Sequence, residues 1–181
     1  MRWMWIDQIV EHEPGKRMAA VKCVSLAEEH LHDHFPASPL EHLEAQPLMP
    51  ASLIIEGMAQ TAGILVGSVN RFREKVVLAK IVAVKLEADV TPGQTIRYDA
   101  TLERIDQAGA ATSGTVSRMA QPTADSGKSN PGAWEEIGRI ELMFSHVDQN
   151  MAGLKFPKEN FVFSDNFRTI LRSAGLEHLE Q

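Results

Sequence analysis

Residues 34–66 read HFPASPLEHLEAQPLMPASLIIEGMAQTAGILV, and a break inside this stretch constrains the fold more than any other feature. Its first half is punctuated by Pro36, Pro39, Pro47 and Pro50. Proline fixes φ and supplies no N–H, so residues 34–50 cannot form one regular element. From Ala51 onward there is no proline for many residues. Leu53, Ile54, Met58, Thr61, Ala62 and Leu65 recur at helical spacing. Pro50 stands where a helix starts, with Ser52 and Glu56 in the first turns. The pattern predicts one long helix over residues 51–72, apolar nearly all round and therefore buried.

Other elements must be arranged to cover that helix. Residues 3–12 alternate loosely, Glu13-Pro14-Gly15 signals a turn, and residues 16–26 read as a second strand. Trp3, Trp5, Ile6 and Ile9 are the core anchors expected of this hairpin, and residues 27–33 are expected to be a loop. After the helix, residues 76–88, 94–105, 110–120 and 136–147 read as strands. The second of these sets Ile96, Tyr98, Ala100 and Leu102 against polar neighbours. Residues 121–132 have loop composition, and residues 148–163 read as an irregular connection. Ser164 and Asp165 are placed to cap a short last helix with Phe167, Ile170, Leu171 and Ala174 as its apolar stripe, ended or interrupted at Gly175. A buried helix between a hairpin and a meander gives an α+β class, an antiparallel sheet wrapped around one long central helix. The expected division is a domain over residues 1–150 and a C-terminal extension over residues 151–181.

The chemistry centres on Glu56. A carboxylate inside LIIEGMA is costly unless it is paired, hydrogen-bonded or used. His34 opens the irregular segment before the helix, and a His and a Glu meeting in an apolar setting make a plausible base and acid. Composition narrows the alternatives. A formal net charge of −6 speaks against a broadly basic nucleic-acid surface. No uninterrupted apolar run of roughly 18 residues appears, so no membrane span is expected. The N-terminus lacks the form of a secretory signal, and the single Cys23 cannot make an internal disulfide. Cytoplasmic placement is the resulting expectation. His30, His32 and His34 alternate in HLHDHF and raise the question of zinc. Asp33 follows His32 directly, one position off the H-x-H-x-D-H pattern of metallo-hydrolases, and no second ligand cluster follows. The expectation is loop histidines and no metal.

The segment H-F-P, P-L-M-P, L-I-I-E and A-Q resembles the active-site segment of the Z-type 3-hydroxyacyl-acyl-carrier-protein dehydratases, which typically read HFPGxPIMPGxLIIEAxAQ. IDQIVEHEPGKRMAAVKCVSL resembles that family's opening hairpin and VTPGQTIRYDATLERI its later sheet, so the resemblance spans roughly residues 5–147. It implies a hot-dog fold and dehydration of a 3-hydroxyacyl thioester. His34 would be the base, and Glu56 the acid or the group orienting the hydroxyl and a water. The backbone N–H of Ala51 would be the oxyanion donor. It also implies a homodimer or trimer of dimers with His34 and Glu56 brought together from opposite subunits. The substrate would arrive on an acyl carrier protein, whose acidic surface could dock on Arg71, Arg73 and Lys75; a solvated helix end is the plain alternative for those three. No metal or organic cofactor is implied, since the phosphopantetheine belongs to the carrier. Three departures stand out: an insertion of about LEHLEAQ between the proline groups, Ala51 where the family has glycine, and the C-terminal extension. The insertion carries Leu40, Glu41, Leu43 and Glu44, which could form a helical turn that bulges outward or lids the pocket. Two rival readings follow: a hot-dog thioesterase using Glu56 to activate water, and a non-catalytic acyl-binding or assembly subunit.

Overall fold

The structure is a computed structural model that describes residues 4–119, 132–147 and 164–179. Strands β1 (Gln8–Glu13) and β2 (Arg17–Cys23) form the N-terminal hairpin around Gly15, whose φ of 68° is the left-handed conformation its turn requires. A four-residue helix, α1 (Glu29–His32), follows, then the central helix α2 (Ala51–Val69). Strands β3 (Lys75–Leu86), β4 (Thr95–Ile105), β5 (Gly109–Met119) and β6 (Trp134–Val147) complete the sheet, and α3 (Asp165–Ser173) closes the described chain. The six strands lie in the order β1-β2-β4-β5-β6-β3, every neighbouring pair antiparallel. Register shifts at Ile9/Glu11, Leu78/Lys80 and Leu102/Arg104 interrupt the ladders. Such bulges bend and twist strands, which lets the sheet curl around α2.

The hot-dog arrangement holds: an antiparallel sheet wrapping one long helix, with a short C-terminal helix beside it. Ile54, Met58, Thr61, Ala62 and Leu65 of α2 are each 2% exposed or less. They meet the inward residues of β4 and β6, among them Ile96, Tyr98, Ala100 and Leu142, and β4 keeps its anticipated alternation. Full burial of such side chains stabilises by about 1.5–3 kcal/mol each, which makes this layer the mass of the core. By length and composition α2 could also cross a membrane, because the Glu and Gln that interrupt its apolar runs do not lower its mean hydropathy enough. Its burial against the sheet is what a core helix shows.

Several local expectations need correction. The first strand begins at Gln8 rather than residue 3. Trp5 and Ile6 are buried ahead of it, while Trp3 lies outside the described residues. Residues 29–32 form α1 instead of a loop, with Leu31 as its buried anchor. The central helix stops at Val69, three residues early. Arg71 and Phe72 take φ values of 52° and 54°, and Phe72 N–H donates to Gly67 O at 2.8 Å. This backward bond caps the helix and turns the Phe72 ring under its last turn. The loop over residues 121–132, apart from Gly132, and the connection over residues 148–163 lie outside the described residues. The last helix forms where anticipated: Ser164 Oγ accepts from Phe167 N–H at 3.4 Å, and Gly175 follows its end at φ 69°.

Candidate active site

His34 sits at the start of the proline-rich segment, half-buried. Phe35 N–H donates to Gln46 O at 2.6 Å, Gln46 N–H to Phe35 O at 2.9 Å, and Leu48 N–H to His34 O at 2.8 Å. These bonds make a short ladder that brings the two proline groups side by side. The insertion between them is a hairpin, pinned by the Ser38–Leu43 bridge and carrying a 3₁₀ turn at Pro39–Glu41. It projects outward, leaving Leu40 96% and Leu43 58% exposed. The added residues are thus looped out, and His34 stays beside Leu48 despite them.

His34 Nδ1 lies 2.9 Å from Leu48 O, and its ring stacks on Phe35 at 4.3 Å. A carbonyl oxygen can only accept, so Nδ1 carries the proton and Nε2 presents a lone pair. The backbone thereby selects the tautomer a base requires.

Glu56 does not lie in the core, as the apolar run around it suggested. It lines a cavity of about 510 Å³ between α2 and β3. Its Oε1 accepts from Gln60 Nε2 at 3.0 Å, and Gln60 Oε1 accepts from Trp5 N–H at 2.9 Å. The Trp5 donor fixes which way the Gln60 amide faces. Gln60 therefore holds the carboxylate in place. It was not among the anticipated site residues, although its position one turn after Glu56 on the same face was the available signal. The other walls are mainly apolar, with Ala59, Ile64, Val76, Leu78 and Phe144 among them. A volume of this size suits a small organic ligand, for which roughly 300–1,000 Å³ is usual.

Ala51 is the first residue of α2, exposed, with Pro50 preceding it. Its N–H has no partner among the described residues, as first-turn donors commonly lack. Met49, whose N–H donates to Val90 O at 2.8 Å, anchors this helix start to the fold. The structure therefore holds His34 against Leu48, three residues before Ala51 in the chain, and puts Glu56 with Gln60 in the cavity. His34 is not among the residues lining that cavity in the same chain.

Arg71 and Arg73 are exposed after α2, while Lys75 is half-buried at the start of β3. Beside them Glu74 accepts from Asn70 and lies 3.1 Å from His146 Nδ1. The three histidines of HLHDHF do not converge. His30 packs edge-on against Trp5 at 5.0 Å, and burial holds its pKa below the ordinary imidazole value. No group of three metal-ligating side chains occurs among the described residues.

Curated relatives match part of the chain. The chain is 37% identical over 101 residues to the 3-hydroxyacyl-[acyl-carrier-protein] dehydratase FabZ of Ruminiclostridium cellulolyticum, covering 55% of this chain and 66% of that one. It is 38% identical over 100 residues to the protein of the same name from Geobacter metallireducens, covering 54% and 61%. The chain thus spans a little under two thirds of the length of these curated relatives. Among solved structures, a thioesterase family protein from Silicibacter pomeroyi superposes with a TM-score of 0.54 at 11% identity, over 77% of this chain and 83% of that one; at that identity the likeness concerns the fold. The family model described as the FabA-like domain matches residues 2–120, the span that contains His34, Ala51, Glu56 and Gln60, and the chain belongs to that family.

Proposed function

We propose that the protein dehydrates a 3-hydroxyacyl thioester, carried on acyl carrier protein, to the trans-2-enoyl thioester. The observation that carries this reading is the Glu56 side chain held by Gln60 in a mainly apolar cavity, in a chain that also presents, outside that cavity, a His34 whose free nitrogen the backbone has selected. His34 Nε2 takes the proton from C2. The C3–O bond breaks, and a proton delivered through Glu56 lets the departing hydroxyl leave as water. The enolate oxygen formed on the way faces the Ala51 N–H, at the positive end of α2. Proton return from His34 to Glu56 through solvent resets the site. Alanine keeps the donor that the family's glycine provides, and adds one methyl beside it.

Because His34 does not line its own chain's Glu56 cavity, the site is completed by a second copy. The edge strand β3 supports this. Leu78, Ile81, Val82 and Val84 are 40%, 45%, 46% and 39% exposed, and every residue from Leu78 to Lys85 is exposed, so both faces of the strand are uncovered. A long apolar edge of this kind is normally paired or covered. Arg71, Arg73 and Lys75 are the docking patch proposed for the acidic carrier.

The separation of His34 from the cavity also favours a second reading, a thioesterase in which Glu56 activates water without His34. The product separates the two. Hydration and dehydration of crotonyl and longer enoyl thioesters, on carrier protein and on coenzyme A, is followed by enoyl absorbance. Turnover lost in both His34→Ala and Glu56→Gln supports the dehydratase. Release of free thiol, unaffected by His34→Ala, supports the thioesterase.

A further inference from the structure

The cavity has two ends of different character. Glu56 and Gln60 mark one. At the other, Phe72 and Phe167 meet edge to face, with ring centroids 5.6 Å apart and planes at 82°. Phe72 is 7% exposed and rests so closely on Gly67 that a Cβ there would lie 2.5 Å from its ring. Phe167 is 4% exposed and belongs to α3, outside residues 2–120 that the family model matches. The terminal segment is a packed element, since Ile170, Leu171, Leu176 and Leu179 are all buried after it.

We infer that α3 closes the far end of the acyl cavity, and that Phe167 against Phe72 sets the longest acyl chain the site accepts. The inference rests on the reading of this cavity as the acyl site. Glu56, Gln60, Gly63 and Ile64 line the cavity along α2. Eight residues of helix from Glu56 to Ile64 advance roughly 12 Å. An extended chain advances roughly 1.2 Å per bond, so about ten bonds span the lining from Glu56 to Ile64, beyond which the ring pair stands. Chains to about twelve carbons fit between them, and longer ones meet the rings. Glu74, at the same end, is engaged by Asn70 and His146. Midway, a Cβ added at Gly63 would meet only Phe144 Cε1, at 3.5 Å, so a larger side chain there fills the cavity without disturbing the backbone.

Two substitutions in the full-length protein should therefore move chain-length preference in opposite directions. Binding of acyl-coenzyme A thioesters of four, eight, twelve and sixteen carbons is measured by calorimetry, with dehydration of the matching 3-hydroxyacyl thioesters in parallel. Each further buried methylene is worth about fourfold in binding. Phe167→Ala should raise the sixteen- to four-carbon binding ratio at least tenfold. Gly63→Leu should lower the twelve- to four-carbon ratio at least tenfold. Phe167→Leu repeats the first arm if the alanine variant fails to fold. Ratios unchanged in folded variants overturn the inference, whether or not the enzyme turns over. Shifted binding ratios without dehydration by the wild type sink the dehydratase reading and leave the chain-length limit standing.

Discussion

The two faces of α2 hold polar groups by different means. Toward the sheet, Ile54, Met58, Ala62 and Leu65 are almost wholly buried, and the one polar side chain among them, Thr61, bonds to Gly57 O of its own helix at 2.8 Å. Toward the cavity, Glu56 leans on Gln60, and Gln60 on the Trp5 backbone. The first face is fixed by volume: a Cβ at Gly57 would come 2.4 Å from the Tyr98 ring. The second has room, as Gly63 shows. Stability resides on the sheet side and the proposed chemistry on the cavity side, so substitutions one turn apart should fail in different assays.

The largest separation is expected at Glu56. Glu56→Gln should lower dehydration by about 10²–10⁴-fold, the usual worth of a positioned acid or base, while a thermal melt stays close to wild type. Met58→Ala, across the helix, should do the reverse. It should cost about 2–5 kcal/mol in a denaturant titration, with turnover per folded molecule preserved. Gly57→Ala should cost about 1–3 kcal/mol even though alanine favours helix, because the tightly packed Tyr98 must move. Gly63→Ala should instead stabilise by about 0.5–1 kcal/mol, since the helix gains and the cavity absorbs the methyl. A Gly57→Ala protein as stable as Gly63→Ala would erase the contrast.

The smallest effect is electrostatic and lies where the C-terminal segment meets the hairpin. His12 Nε2 is 3.2 Å from Ser68 Oγ; burial first, and the nearby His178 second, hold the His12 pKa below the ordinary value. Burial acts on His30 in the same direction, partly offset by Glu28. The folded state thus favours neutral imidazoles. Below about pH 6.5 the unfolded chain takes up protons that the folded one resists, so stability is complete above that pH and declines beneath it. Melting temperatures measured from pH 8 to pH 5 should fall through this window, and His12→Gln should flatten the slope.

Much of this was legible in the sequence because periodicity reports burial directly. The spacing of Leu53 to Leu65 gave α2, the alternation from Ile96 to Leu102 gave β4, and Ser164 with Gly175 bracketed α3. What could not be read depends on the third dimension. A lone carboxylate in an apolar run looks the same whether it faces a core or a cavity, and only the place of β3 decides for Glu56. The end of α2 was overrun because Asn70, Arg71 and Phe72 carry no glycine to announce a left-handed turn. Phe72 and Phe167 are nearly a hundred residues apart, so their contact leaves no local trace. Gln60 was hidden in plain sight, its role apparent only once Trp5 N–H fixed its orientation.

The central prediction is that His34 of one subunit works with Glu56 of another. Inactive His34→Ala and Glu56→Gln proteins should be mixed in equal amounts, unfolded and refolded together, and assayed with an enoyl thioester. Random pairing in a symmetric dimer gives half mixed dimers with one intact site each, so activity should recover to roughly a quarter of wild type. Full turnover by either variant alone, or no recovery in mixtures shown to contain the mixed dimer, would contradict the shared site.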